Sequence, residues 1–341
     1  MAECEKQNGK LKVVFMGSDI LSCTFLGRLV HSPGVKVCAV ITQPDKARGR
    51  SLAVVSGPVK DLALLHVIPV FAPPNVNAPE ILNELAQIQP DLIVVMAYGQ
   101  FLGKDILASA RLGCINLHVS LLPKYRGAAP IQHAIMNGET ETGVTAIMLS
   151  RKMDAGDILG SVTRKIKTDD TFGTLGLELA KEGADLMLDI VRQLGDGICA
   201  RVQQDESQAT FAHKIDENLT PAIDWNNTAP QIERLVRAMN PKPCCHAYLP
   251  GRDPDRPFMP GLRIKVIETK IVRCPAFNPV DQPPGTVISM RGNGPVIATG
   301  GGGAICLTRV HVEGKKEMDG KAFSNGYANK LAVGEIMRSG A

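Results

Sequence analysis

The sequence has no run of eighteen or more apolar residues, so it offers no candidate for a membrane-spanning helix. Its first residues, MAECEKQNGK, lack the apolar stretch of a signal peptide, and their acidic members argue against a transit peptide. They read as a disordered leader, 1–10, and the expected setting is a bacterial cytoplasm or an organelle. A disulfide framework is also missing. The nine cysteines are scattered, odd in number and set in apolar surroundings, which suits reduced, buried thiols. No CxxC pair occurs, and the adjacent Cys244 and Cys245 beside His246 are poorly spaced to converge on one zinc, so no metal is expected. The GxGxxG fingerprint is absent too. MGSD at 16–19 is better read as a tight strand-to-helix turn than as a dinucleotide site.

What is present is the composition of a globular protein, 44% hydrophobic and 21% charged over 341 residues, long enough for two domains. The net charge of +4 lies wholly beyond residue 205, because residues 1–205 hold 21 of the 38 basic and 21 of the 34 acidic residues. That placement hints at an anionic partner for the C-terminal part, although surface variation explains it equally well.

Apolar runs at 11–17, 35–43, 67–72 and 90–99 alternate with helical segments near 20–32, 57–66 and 78–88. Continuous apolar strands separated by helices predict a doubly wound, Rossmann-like α/β domain over 11–202. A further strand is expected at 143–150 and a helix near 171–194. Residues 203–220 are polar and unperiodic and read as a linker. A helix capped by Thr228 with Pro230 in its first turn should follow. From about 244 short strands at 262–272, 285–290, 294–300 and 304–312 are separated by Gly, Pro and Asn turns. They predict a small antiparallel β-barrel closing the 221–341 domain. The glycines at 300–303 read as a hairpin turn, since no helix follows them to cradle a phosphate.

Chemistry concentrates in CINLHVSLLPKYRGAAP, 114–130. Alternation puts Asn116, His118 and Ser120 on one face of a strand, and Pro123 and Gly127 shape the loop after it. Ligands of such sheets bind beyond the carboxyl ends of the strands, where Tyr98 also falls. Downstream, MDAGDIL offers Asp154 and Asp157 in a turn made sharp by Gly156. Should Asp154 reach the Asn116–His118 strand, an amide and an imidazole could donate to a developing oxyanion while the carboxylate orients the ring or takes a proton. Ser120 has no evident base, and Cys114 sits at the apolar start of the strand. Such a set without a protein nucleophile suits direct transfer of a carbonyl carbon to an external amine.

Those motifs, with ETGVTAIM, TQPDKARGR, MAYGQFL, IDWNNTAPQIERLVRAMNPKP and VHVEGKKEMDGKAFSNG, resemble the folate-dependent formyltransferases, and within them the branch acting on methionyl-tRNA. The likeness covers nearly the whole chain after the leader. It implies an N-terminal domain that binds 10-formyltetrahydrofolate and an OB-like C-terminal domain that contributes to binding methionyl-initiator-tRNA, in a monomer. By position, Asn116, His118 and Asp154 match the catalytic trio, and Ser120, Leu121, Leu122 and Pro123 match the folate-binding segment. Tyr98 and apolar Phe101 would wall the pterin with them. Lys46, Arg48 and Arg50 match a basic loop beside the tRNA acceptor end. The chain departs from the family at Asp19, where Pro is usual, at Leu21, where an aromatic is usual, and at Lys242, where Trp is usual; Tyr125 is a milder change. Competing expectations are another folate-dependent N-formyltransferase acting on an amino sugar or glycinamide nucleotide, a non-catalytic folate- or tRNA-binding protein, and a nucleotide-dependent oxidoreductase.

Overall fold

The computed structural model of the chain describes residues 10–48, 53–216, 219–251, 261–272 and 282–339. The leader up to Gly9 and Arg50 therefore lie outside the described residues. The chain divides into two units. The first holds the chain up to Pro130 together with 141–165 and 176–213, and the second holds 131–140, 166–175 and 214–341.

The first unit is built on a seven-stranded sheet. β1 (Leu11–Gly17), β2 (Val35–Ile41), β5 (Val70–Phe71), β6 (Leu92–Met96) and β7 (Cys114–His118) run parallel, and β9 (Glu141–Met148) and β10 (Ile158–Lys165) extend it antiparallel, in the order β10-β9-β7-β6-β1-β2-β5. The parallel strands are apolar on both faces because helices cover both. Val14, Met16, Ile93, Val95 and Cys114 join one core cluster with Ile81 and Leu85 of α3 (Pro79–Ile88) and Ile106 of α4 (Lys104–Leu107). On the opposite face, α6 (Phe172–Gly195) comes so close to β7 that a Cβ at Gly183 would collide with Leu117, and Phe25 of α1 (Ile20–Val30) packs at the same point. α2 (Pro58–Leu65) also belongs to this unit, whereas α5 (Pro130–Asn137) lies, but for its first residue, in the second.

The MGSD turn is a helix cap: Ser22 N–H and Oγ both donate to Asp19 Oδ1, each at 2.8 Å. Two local expectations change. The basic stretch expected as a loop begins as a strand, β3 (Lys46–Arg48), paired antiparallel with β4 (Ala53–Val55). The first half of the expected linker 203–220 is folded into the first unit through a 3₁₀ turn at Glu206–Gln208 and β11 (Phe211–Ala212), which pairs with β8 (Arg126–Gly127).

In the second unit, α7 (Ala229–Met239) starts as expected, with Thr228 N–H and Oγ1 both donating to Gln231 Oε1. The antiparallel sheet runs β12 (Cys245–Tyr248), β13 (Arg263–Ile271), β16 (Gly303–Val312), β15 (Val296–Thr299), β14 (Val287–Ser289), with β17 (Glu317–Asp319) beside β16 and α8 (Gly320–Gly326) after it. β15 turns into β16 through Gly301 and Gly302, both at positive φ, as a tight hairpin requires. The sequence showed no strand in the tail, yet the tail closes the barrel. Val287 N–H donates to Glu335 O at 2.8 Å and Met337 N–H to Gly285 O at 2.9 Å on the β14 side. Tyr248 and Arg338 exchange bonds of 2.9 and 3.0 Å on the β12 side.

Met337 is fully buried at this closure, and Trp225, the single tryptophan, is buried against the same turn at Gly285. Met337→Ala is expected to cost the second unit about 2–5 kcal/mol. Urea unfolding of the full chain followed by Trp225 fluorescence reads this out; an unmoved midpoint would mean that the tail adds nothing to the barrel.

Candidate active site

β7 lies between β6, parallel, with Asn116 opposite Val95, and β9, antiparallel, with His118 opposite Thr145. Strand alternation sends Asn116 and His118 to the face that carries Cys114. The Cys114 thiol is buried at the start of the strand and pushed up to about 12 by desolvation, so it is no nucleophile. Asn116 is half-buried, and among the described residues its side-chain amide has no hydrogen-bond partner. A polar group left open beside an engaged histidine is available to a ligand.

His118 is 6% exposed, and its two ring nitrogens have different surroundings. Nε2 lies 2.8 Å from the carbonyl oxygen of Tyr125, which can only accept, so Nε2 carries the hydrogen. In the neutral ring Nδ1 is then a lone pair, and it faces Asp154 Oδ2 at 3.6 Å, beyond hydrogen-bond reach. Tyr125 owes its placement to a backbone at φ +60° and to its N–H, which donates to Thr210 Oγ1 at 2.8 Å.

Asp154 arrives from the turn between β9 and β10 and is itself left-handed at φ +51°, a conformation Asp tolerates better than most residues. Gly127 N–H donates to its Oδ2 at 2.8 Å. Both glycines nearby are steric necessities: a Cβ at Gly127, φ +120°, would strike the Ala212 carbonyl, and one at Gly156 would strike that of Met148. The structure thus brings Asp154 to His118, and strand alternation places Asn116 on the same face of β7.

The remaining expected residues divide. Ser120 is fully buried and spends its hydroxyl on Lys124 O at 2.6 Å, so it shapes the loop. Leu122 is buried, with its N–H on Thr145 Oγ1, while Leu121 and Pro123 are half-buried. Tyr98 belongs to the core cluster, its hydroxyl buried and pushed up to about 12 by desolvation. Phe101 is 67% exposed. Lys46 and Arg48 are placed by their backbone on β3.

Sequence reasoning missed three contributors to the site. Two are the Tyr125 carbonyl and the Gly127 N–H, main-chain groups that carry no residue-type signal. The third is Gln204, which sits in a stretch without periodicity. Among the described residues no group of three or more His, Cys, Asp or Glu is disposed to hold a metal, and no helix is long and apolar enough to cross a membrane.

Comparison with known proteins identifies the family. Residues 12–191 match the formyl transferase family and residues 218–328 match the formyl transferase C-terminal domain. The chain is 38% identical over 327 residues to the methionyl-tRNA formyltransferase of Pseudomonas savastanoi pv. phaseolicola, covering 96% of this chain and 98% of that one. It is 38% identical over 323 residues to the enzyme of the same name from Lactiplantibacillus plantarum, covering 95% and 98%. Among solved structures, the sugar 3N-formyl transferase WlaRD, crystallised with dTDP and 5-N-formyl-THF, aligns with a TM-score of 0.62 at 18% identity over 90% of this chain and 99% of that one. The N-formyltransferase from Helicobacter canadensis, in complex with folinic acid and dTDP-3-aminofucose, aligns at 0.61 and 18% over 87% and 98%. At such identity these two speak for the fold alone. The chain belongs to the formyl transferase family, a family of one-carbon transferases, and carries both its N-terminal and its C-terminal domain.

Proposed function

We propose that the protein transfers a formyl group from 10-formyltetrahydrofolate to the amino group of methionyl-initiator-tRNA. The observation that carries the reading is the approach of Asp154 to His118, with Asn116 on the same strand face, in a chain similar over nearly its whole length to enzymes named methionyl-tRNA formyltransferase. The amine lone pair attacks the formyl carbon, and the carbonyl electron pair moves to oxygen. The Asn116 amide donates to that oxyanion. The proton leaving the new ammonium passes to His118 Nδ1, whose lone pair is free because Nε2–H is held by Tyr125. Asp154, 3.6 Å away, stabilises the imidazolium so formed. The protonated Nδ1–H becomes a second donor to the oxyanion and then gives its proton to N10 of the folate as the C–N10 bond breaks. The products are formyl-methionyl-tRNA and tetrahydrofolate.

Residues 11–202 would serve as the folate-binding catalytic domain and 221–341 as the tRNA-binding domain. Leu121, Pro123 and Phe101 present accessible apolar surface to a pterin, with Ser120, Leu122 and Tyr98 shaping that wall from behind. Lys46, Arg48 and Arg50 would approach acceptor-end phosphates.

The deciding assay is formyl transfer to charged initiator tRNA, with uncharged and elongator tRNA as controls; equal transfer to the elongator would remove the initiator assignment. In that assay Asn116→Ala, His118→Ala and Asp154→Ala should each lower kcat by at least ~10²-fold with tRNA affinity little changed. A fully active His118→Ala enzyme would sink the proton path. Phe101→Ala should raise the folate KM about tenfold with kcat held, and an unchanged KM would move the pterin elsewhere. Arg50→Ala should lower kcat/KM more than tRNA affinity, because a basic group beside the acceptor end would position the amine. A salt series of binding and turnover separates the two effects; a loss confined to affinity would make Arg50 a simple phosphate anchor.

A further inference from the structure

Behind the Asp154 turn lies a buried polar chain that the mechanism does not use. Gln204 is 6% exposed, and all four hydrogen-bonding positions of its amide are filled. Nε2 donates to Asp154 O and to Gly156 O, both at 2.7 Å. Oε1 accepts from Arg126 Nε at 3.1 Å and Nη2 at 2.7 Å. This settles the amide's orientation, since the flipped form would aim an oxygen at two carbonyls. Arg126 is 3% exposed and continues the chain with a two-pronged pair to Glu206, Nη1 to Oε2 at 3.1 Å and Nη2 to Oε1 at 2.9 Å. That bond with Arg126 holds the Glu206 carboxyl below its usual range.

Two arms therefore leave the Arg126–Gly127 segment and meet on Asp154. Gly127 N–H grips the carboxylate, and Gln204, locked by Arg126, grips the main chain on either side of Ala155. The turn needs such a grip. Asp154 is left-handed, and Ala155 N–H reaches Lys152 O only at 3.4 Å. Taking the catalytic reading above as its basis, we propose that Gln204 is a positioning residue for Asp154. Its two backbone bonds set the distance between the carboxylate and His118 Nδ1, and the Arg126–Glu206 pair fixes Gln204 for that task.

Two substitutions separate positioning from simple partnership with Arg126. Gln204→Met removes both arms in a similar volume. Gln204→Glu keeps an acceptor for Arg126 but replaces the donor that faces the turn with oxygen. Both are expected to lower kcat about tenfold to a hundredfold, as small displacements at a reacting centre do, with the folate and tRNA KM values within about twofold of wild type. Calorimetric folate binding near the wild-type value reports that each variant is folded. Because the effect runs through Asp154, Gln204→Met should cause no further loss of kcat in an Asp154→Ala background. Wild-type kcat in Gln204→Glu would overturn the proposal. So would an equal fold-loss with and without Asp154, or lost folate binding in both variants, since either marks a general structural role. Full activity of Asp154→Ala alone would instead overturn the catalytic reading, and the positioning role with it.

Discussion

In the first unit a carboxylate stands opposite an imidazole at the end of a buried parallel strand, and the backbone around them is bent to allow that approach. The strand supplies His118 by simple alternation, but Asp154 belongs to a turn at the far end of β9. To face Nδ1 the turn must double back over the Met148 carbonyl, which only glycine at 156 permits, and must hold Asp154 in a left-handed conformation. Neither feature is favourable alone, so the neighbouring chain supplies the compensation. The Gly127 N–H holds the carboxylate, and the Gln204 amide holds the backbone.

The same economy assigns the tautomer. A histidine between a carbonyl and a carboxylate could be read either way from sequence. Because the carbonyl of Tyr125 accepts only, a hydrogen is committed to Nε2, and Nδ1 is the nitrogen that faces Asp154. The left-handed backbone at Tyr125 and the bond from its N–H to Thr210 thus help to fix the tautomer. Among the described residues the Asn116 amide has no partner, whereas His118 and Asp154 are both held.

The second unit answers a different constraint, that of unpaired sheet edges. β12 and β14 would each expose a row of main-chain donors and acceptors. Residues 334–338 bond to both, so the sheet becomes a closed barrel rather than an open layer. The hairpin through Gly301 and Gly302 and the burial of Trp225 against Gly285 belong to the same closure.

Much of this arrangement is legible in local periodicity. Apolar runs marked the parallel strands, alternation placed Asn116 and His118 on one face, Thr228 and Pro230 announced α7, and the glycine run announced a hairpin. These features depend on residues close together in the chain, where side-chain spacing and backbone preference act directly. The two-residue strands β8 and β11, the folded first half of 203–220 and the barrel-closing tail left no such trace. Each is held by main-chain bonds to partners far away in sequence, and a carbonyl or N–H looks alike in every residue type. Gln204 was invisible for the same reason, since an amide in a polar stretch becomes a brace only when Arg126 and the Asp154 turn are folded onto it. The sequence by itself determined which chemical groups the site would possess. Only tertiary structure decided which nitrogen of His118 stays open and what holds Asp154 in front of it, because both are set by hydrogen bonds whose partners folding alone brings together.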